Sequence, residues 1–417
     1  MQPQKENMEI INEDIVIVGA GLAGLATSLA LHRLGIRSIV LESSDSLRTT
    51  GFALALWTNA WRALDALGVG DSLRQRSLHF TRFQAFSADS GLPTAEISLE
   101  PDDKPIDYDS RCIKRQEIVE TLEKELPPGT IKYSSRVTSI EESGLYKLVH
   151  LADKTVLRTK VLIGSDGVNS VVAKWMGLPK PVDANRSAIR GYVEYPKSHG
   201  FEPKFCAYFG SGVRIGFLPC DDKSLYWFCT FTPSAVDYDE NIEGSPIKMK
   251  QFVLSLARNV SKEAYNILDR TSLDSLYCAK LKLRTPWNIL MKDNIVKNNT
   301  CLVGDALHPM TPDIGQGGCS ALEDSVVLAR CISEAIFTKS LQEGDQLCKS
   351  IKVGLEKYAK ERRWRIFSLI STSYLVGLAQ ESNGKVISYL REKFLAQFTI
   401  ETMLKMGDFD CGKLCQK

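Results

Sequence analysis

No run of apolar residues in this chain reaches the roughly 18 that a spanning helix needs, so a transmembrane segment is not expected. The N-terminus, MQPQKENMEIINED, is short, polar and acidic. It has neither the apolar core of a secretory signal nor the Arg/Ser-rich character of a transit peptide, so a cytoplasmic location is expected. Net charge is scarce too. The 52 basic and 50 acidic residues nearly cancel to +2, which gives no field for nucleic acid or an anionic membrane. The eleven cysteines are scattered without the spacing of a secreted disulfide framework, which points to a reducing compartment. Cys411 and Cys415 come nearest to a metal motif but have no second ligand pair, so no metal is expected. What remains is a 417-residue chain, 44% hydrophobic, long enough for two or three domains with real cores.

The most informative stretch is DIVIVGAGLAGLATSLALHRLGIRSIVLE, Asp14 to Glu42. It predicts a β-branched strand, a glycine turn, an amphipathic helix and a second strand. Gly19, Gly21 and Gly24 form G-x-G-x-x-G directly after the strand. The first glycine permits the tight turn, the second lets backbone approach a pyrophosphate, and the third lets helix and strand pack closely. The anion would sit on the helix N-terminus, where unpaired N–H groups favour negative charge. Glu42 ends the second strand 21 residues after Gly21, where a carboxylate accepts from adenosine ribose hydroxyls.

After Glu42 comes a loop with Arg48 and Gly51, then helical periodicity through Trp57, Trp61, Leu64 and Leu67. Leu78 to Leu99 alternates around Ser90-Gly91 and predicts a hairpin belonging to a different sheet. Arg111-Cys112-Ile113-Lys114-Arg115 is read as opening a helix. Two arginines there would oppose the dipole unless something anionic lies nearby. Three short strands are expected from Ile131 to Leu157. A core strand, Val161 to Gly164, then delivers Asp166 and Gly167 beside the first glycine turn if it runs parallel to the opening strand.

From Arg186 to Thr232 the pattern changes to long antiparallel strands rich in aromatic and β-branched residues, a second domain inserted into the first. Ser245 to Leu268 is expected to be helical. Thr300 to Val303 is read as a last core strand, ending in GDALHPMTPDIGQGG. There Asp305 can accept from sugar or ribityl hydroxyls, and Gly315, Gln316, Gly317 and Gly318 expose backbone N–H groups at a helix start. His308 is read as held in this loop by its neighbours rather than as catalytic. Leu355 to Lys393 reads as helical, with a basic segment Lys360 to Arg365 and a largely apolar run to Leu378: a solvated face beside a packed one, with an interfacial membrane helix as the other reading.

Three of these motifs, in this order and at these separations, resemble the FAD-dependent aromatic hydroxylases typified by p-hydroxybenzoate hydroxylase. They are GAGLAG with Glu42, the DG motif Ile163 to Gly167, and the GD motif Gly304 to Met310. The runs LRTTGFALALWTNAWRALDALGVGDSLR and GDALHPMTPDIGQGGCSALED look like the plant monooxygenase group related to zeaxanthin epoxidase and salicylate hydroxylases. The resemblance implies an α/β fold: a Rossmann-like FAD-binding domain (1–76, 111–180 and 286–335), an inserted antiparallel-sheet substrate domain (77–110 and 181–285), and a helical C-terminal region (336–417). It implies that Arg115 contacts the FAD phosphates, that Asp166 links FAD and NAD(P)H, that Asp305 holds the ribityl chain, and that Gly315 to Gly318 face the flavin pyrimidine edge. Arg48 joins this cofactor set. Arginines common just after the family's DG pair are replaced here by Asn169 and Ala173.

The implied function is an NADPH- or NADH-consuming monooxygenase. Oxygen adds at flavin C4a, and the hydroperoxide delivers one atom to a phenolic, alkaloid or related electron-rich metabolite, a small molecule met by a monomer or homodimer. Catalysis is centred on the flavin. Arg190, Tyr192, Arg214, Tyr226 and Phe228 on the central sheet are candidates for substrate contact, the strand register being open. Alternatives are an isoprenoid epoxidase of the same fold and a non-catalytic FAD-binding protein. A halogenase is disfavoured, because no W-x-W-x-I-P motif is present.

Overall fold

A computed structural model describes residues 10–48, 52–100, 108–210, 212–236, 240–291, 293–337, 345–381 and 396–414. Gly51 and Cys415, both named above, lie outside these residues. The chain begins β1 (Ile10–Val18), α1 (Leu22–Arg33), β2 (Ile39–Leu41), β3 (Ala53–Leu56), α2 (Thr58–Ala66), α3 (Gly70–Arg74), β4 (Arg82–Ser87) and β5 (Pro93–Ser98). It continues through β6 (Arg111–Lys114), α4 (Arg115–Lys124), β7 (Ile131–Lys132), β8 (Val137–Ser143), β9 (Tyr146–Leu151), β10 (Val156–Gly164) and α5 (Val171–Met176). The strands β11 (Val182–Glu194), β12 (Lys204–Gly210), β13 (Val213–Asp221) and β14 (Ser224–Phe231) follow, then α6 (Pro246–Leu256), α7 (Lys262–Arg270) and β15 (Leu276–Leu283). The last elements are α8 (Trp287–Leu290), β16 (Val296–Lys297), β17 (Thr300–Leu302), α9 (Gly317–Phe337), α10 (Asp345–Glu381) and α11 (Ala396–Met406).

An eight-stranded sheet carries the cofactor motifs, ordered β16-β17-β10-β1-β2-β7 with β9 and β8 extending from β10. Its centre is parallel: β1 pairs with both β2 and β10, and β10 with β17. Residues 15–18, 39–41 and 161–164 of these strands are buried throughout, which is why they read as short continuous apolar runs. Val18 lies opposite Gly164, so the strand carrying the DG motif is parallel to the opening strand, and Ser165 and Asp166 emerge beside the glycine turn. The second sheet has seven strands, β15-β11-β14-β13-β12-β4-β5, with β4 joining β12 in parallel and every other pair antiparallel. The 78–99 hairpin thus belongs to this other sheet. Its outer face, with Ile189, Ile215, Trp227 and Phe231, forms a separate core with α6 and α7.

Three local expectations are corrected. Arg111 to Lys114 is a strand pairing with β3, and only Arg115 stands at the helix start. Arg111 is instead held by Asp109 (2.6 Å), so the puzzle of two cations on one helix dipole reduces to one. The 245–268 helix is two helices, broken between Leu256 and Lys262, the second capped by the Ser261 hydroxyl accepting from Ala264 N–H. The basic segment of α10 is solvated at Lys360, Glu361 and Trp364, but Arg362 within it is fully buried, because two acids of α9 lie under it. Residues 382–393 of the expected helix lie outside the described set. No helix among the described residues is long and apolar enough to cross a membrane, and none of their His, Cys, Asp and Glu side chains cluster as a metal site.

Candidate functional site: a cleft between the two sheets

The glycine turn is dictated by close packing. Gly19 has φ +103°, and a Cβ there would meet the Ser165 carbonyl oxygen at 2.7 Å. One at Gly24 would meet the Gly19 carbonyl oxygen at 1.9 Å. Gly21 differs, since a Cβ there would meet no protein atom within 4 Å, and the same holds for Gly317 at the start of α9. Packing explains Gly19 and Gly24 but not Gly21 or Gly317. Both of these line one cavity of about 490 Å³, walled by Trp57, Arg115, Asp305, Met310, Gly315 and Gly318 on the first unit and by Arg190, Phe205, Arg214, Tyr226, Phe228 and Thr230 on the central sheet. The cavity therefore has room where the two glycine-started helices α1 and α9 present free N–H groups. The Trp57 indole N–H is buried at this wall without a partner among the described residues, which fits a group that supplies an acceptor there. The residues present fit FAD.

Glu42 is buried at the end of β2. It accepts from Ala20 N–H (3.0 Å) and Ser44 N–H (2.9 Å), with Arg48 at 3.8 Å. Burial alone would raise its carboxyl, but the N–H groups of Ser44 and Ala20, the Ser43 hydroxyl and Arg48 together hold it below the usual range, so it is ionised. Arg115 is pulled below its ordinary value by burial, with Asp305 pushing back and Arg48 adding to the fall. Asp305 is open to the cleft yet walled in by protein. That desolvation pushes its carboxyl up, opposed by His308, Arg115 and Arg190.

Asp166 accepts from the Ser170 hydroxyl (2.5 Å) and the Val171 N–H (2.6 Å), while Ser170 caps α5 by accepting from Ala173 N–H (2.8 Å). This carboxylate thus anchors a helix start, and desolvation keeps it above the usual range despite those bonds. Replacing Ser170 by Ala should cost about 1 kcal/mol, a few degrees in Tm read by thermal melting, with little change in FAD content. Gln316 points away from the cleft: it is fully buried, its amide oxygen accepting from Asn59 (2.8 Å). His308 is buried against Asp324 (Nε2 to Oδ2, 2.6 Å), held by its neighbour as the sequence suggested.

The register of β11, β13 and β14 puts Arg190, Tyr192, Arg214, Tyr226 and Phe228 on one face of the sheet, that of the flavin unit. Four of the five line the cavity. Tyr192 does not, because its ring stacks on Phe52 (6.2 Å between centroids, 8° apart). Arg214 is 2% exposed, lies over the Phe209 and Phe228 rings and donates to the Asp313 carbonyl (2.8 Å), while its Nε–H has no partner among the described residues. Burial pulls its guanidinium down to about 10, which leaves it charged at neutral pH.

Sequence reading missed a buried charge network behind the GD loop. Asp324 accepts from Gly304 N–H (2.9 Å), His308 (2.6 Å) and Arg362 Nε (2.7 Å), and Arg362 also donates to Glu323 (2.6 Å). Arg365 and Asn59 complete the shell of Glu323. A second buried pair, Arg186 with Asp313 (2.8 Å), ties β11 to the same loop. The available signal was two adjacent acids inside the apolar helix CSALEDSVVLA, which need cations from elsewhere.

Residues 12–251 match the FAD binding domain family. The chain is 48% identical over 406 residues to Monooxygenase 2 of Arabidopsis thaliana, covering 96% of this chain and 98% of that protein. It is 36% identical over 411 residues to Monooxygenase 1 of the same plant, covering 96% and 99%. Among solved structures, Klebsiella pneumoniae HpxO complexed with FAD and uric acid superposes with a TM-score of 0.80 at 21% identity, covering 95% of this chain and 96% of that one. With the glycine turn, the Asp305 loop and the open cleft between them, these likenesses establish that the chain belongs to the FAD-dependent monooxygenases of the aromatic hydroxylase family.

Proposed function

We propose that this monooxygenase uses NADPH or NADH and molecular oxygen to insert one oxygen atom into a small, electron-rich anion of the phenolic or alkaloid kind. It would work as a monomer or homodimer in a reducing compartment such as the cytoplasm. The carrying observation is Arg214, a buried cation on the wall of the cavity that also contains Gly21, Asp305 and Gly317, whose Nε–H has no partner among the described residues. A buried unpaired donor is costly, and a bound anion offsets that cost. Arg190 adds a second cation on the same face.

When bound, FAD supplies the electron transfer from nicotinamide and the activation of oxygen. The chain's own residues do the rest. Arg115 and the N–H groups at the starts of α1 and α9 bind phosphate and flavin edges, and ionised Glu42 suits a ribose. Phe205, Leu218, Phe228 and Met310 keep water from the cavity. Tyr226, its hydroxyl pushed up to about 12 by burial, stays a neutral donor at pH 7.

The test is NADPH and NADH oxidation across acidic phenols, their neutral analogues and isoprenoids, with mass spectrometry of the products. Acidic substrates should accelerate turnover and gain one oxygen. Arg214→Met should raise KM for them about 10- to 100-fold, as expected for losing a charge-assisted hydrogen bond, with FAD content unchanged. Preference for a neutral isoprenoid, or a KM that ignores Arg214, would overturn the assignment.

A further inference from the structure

Two thiols meet where the cofactor unit abuts the central sheet. Cys112 on β6 and Cys220 on β13 are both buried, 0% and 1% exposed, with their sulfurs 3.3 Å apart. All ten described cysteines are free, and this pair is in mutual contact. The two strands belong to different sheets, yet they are joined at this spot in other ways. Lys114 Nζ pairs with Asp221 Oδ2 at 2.8 Å, and segment 78–80 bonds beside both sulfurs, Leu78 N–H to the Cys220 carbonyl on β13 and Phe80 N–H to the Ser110 carbonyl just before β6. Arg115 of the cleft directly follows β6, and Leu218 of the cavity wall lies two residues before Cys220.

We propose that Cys112 and Cys220 form a dithiol that hydrogen peroxide oxidises to a reversible disulfide, latching the cofactor unit to the cavity wall. The sulfurs need to approach by about 1.3 Å, shared between two side chains, to reach a bonding distance of about 2.04 Å. In the first step one sulfur attacks a peroxide oxygen. The O–O bond breaks, water leaves, and a sulfenic acid remains. In the second step the other sulfur attacks the sulfenic sulfur and displaces a second water. The two thiols lose two protons and two electrons, and one peroxide becomes two waters. Added peroxide suffices, so the latch does not depend on the substrate assignment above. Burial beside a second thiol pushes the Cys112 thiol well up, so the reaction is slow compared with that of an acidic sensor cysteine.

The FAD-loaded protein is exposed to hydrogen peroxide over hours, unfolded in alkylating agent, and mapped by peptide mass spectrometry with and without dithiothreitol. The expected product is a single cross-linked peptide pair containing positions 112 and 220. It should vanish on reduction and be absent in Cys112→Ser and Cys220→Ser. The latched protein should melt a few degrees higher and release FAD several-fold more slowly than the reduced form. If Cys112 and Cys220 stay fully alkylatable while half-buried Cys206 is oxidised, the dithiol assignment is overturned. A disulfide that leaves FAD release unchanged would overturn the latch. Both outcomes are read on the unmutated protein, so they stand even if a serine variant misfolds.

Discussion

Gly24→Val should yield protein with no bound flavin and a melting transition lowered by many degrees, or no folded protein at all. A Cβ at this position would sit 1.9 Å from the Gly19 carbonyl oxygen and 2.7 Å from Ser165 Oγ. The first of these contacts is backbone, so relief requires moving α1 away from the turn it shares with β1. Forced overpacking of this kind costs several kcal/mol. The informative contrast is Gly21→Val. Its side chain would point into open cleft, so the apo protein should melt as the unmutated apo protein does, while FAD affinity falls by two orders of magnitude or more. Visible flavin absorbance and apo-protein melting separate the two variants. Equal losses of stability would show that Gly21 also serves packing, and retained FAD in Gly21→Val would remove the cofactor from this cleft.

Arg362→Met should destabilise the protein by about 3–5 kcal/mol, on the order of ten degrees in Tm, and shed FAD as well. The guanidinium is fully buried between Glu323 (2.6 Å) and Asp324 (2.7 Å), and the Asp324 carboxylate also holds the Gly304 N–H and His308. Removing the cation leaves two desolvated acids, only one of which keeps another arginine, Arg365. The loop bearing Asp305 would then lose its anchor. The same network sets an acid limit. Burial pushes Glu323 and Asp324 up, but Arg362, Arg365 and His308 outweigh it, so both sit below the ordinary carboxylate range in the folded state. The unfolded chain therefore takes up these protons at a higher pH than the folded one. Their stabilisation is complete above about pH 5 and is lost as pH falls from there through the lowered folded values. In Arg362→Met the two buried carboxyls lose a main counter-charge and rise in the folded state, so their share of the acid sensitivity should shrink, and the stability deficit of the variant should narrow as pH falls below about 5. A deficit that does not narrow there would contradict the account.

The parts of the fold legible in the sequence were those set by local pattern: the β1–α1–β2 unit from its glycines and apolar runs, the 78–99 hairpin from its alternation, the aromatic strands from composition. Arg111 was misplaced because a short amphipathic run before a helix reads equally as its first turn. Only pairing with β3, about 60 residues away in sequence, makes it a strand. The break between α6 and α7 turned on a cap at Ser261 that apolar periodicity does not report. Around the cleft, the glycine turns at 19–24 and 315–318 were legible because backbone conformation and close packing are local. Arg214 and Tyr192 could not be told apart, since both share a face and only packing of Phe52 removes Tyr192 from the cavity wall. Arg362 lies in a segment read as a solvated face beside a packed one, and nothing within its helix reveals that Glu323 and Asp324 lie beneath it. A buried ion pair spanning 38 residues is a tertiary fact.

Turnover under ¹⁸O₂ distinguishes whether this cleft, with FAD bound, moves one atom of molecular oxygen onto an anionic small molecule. FAD-loaded protein is supplied with NADPH or NADH and the acidic phenol that best accelerates its oxidation. The product should carry one ¹⁸O atom, with label absent when ¹⁸O is supplied only as water. Oxidation that yields peroxide and no labelled product from any acidic or neutral compound tested, or oxygen drawn from water, would contradict it.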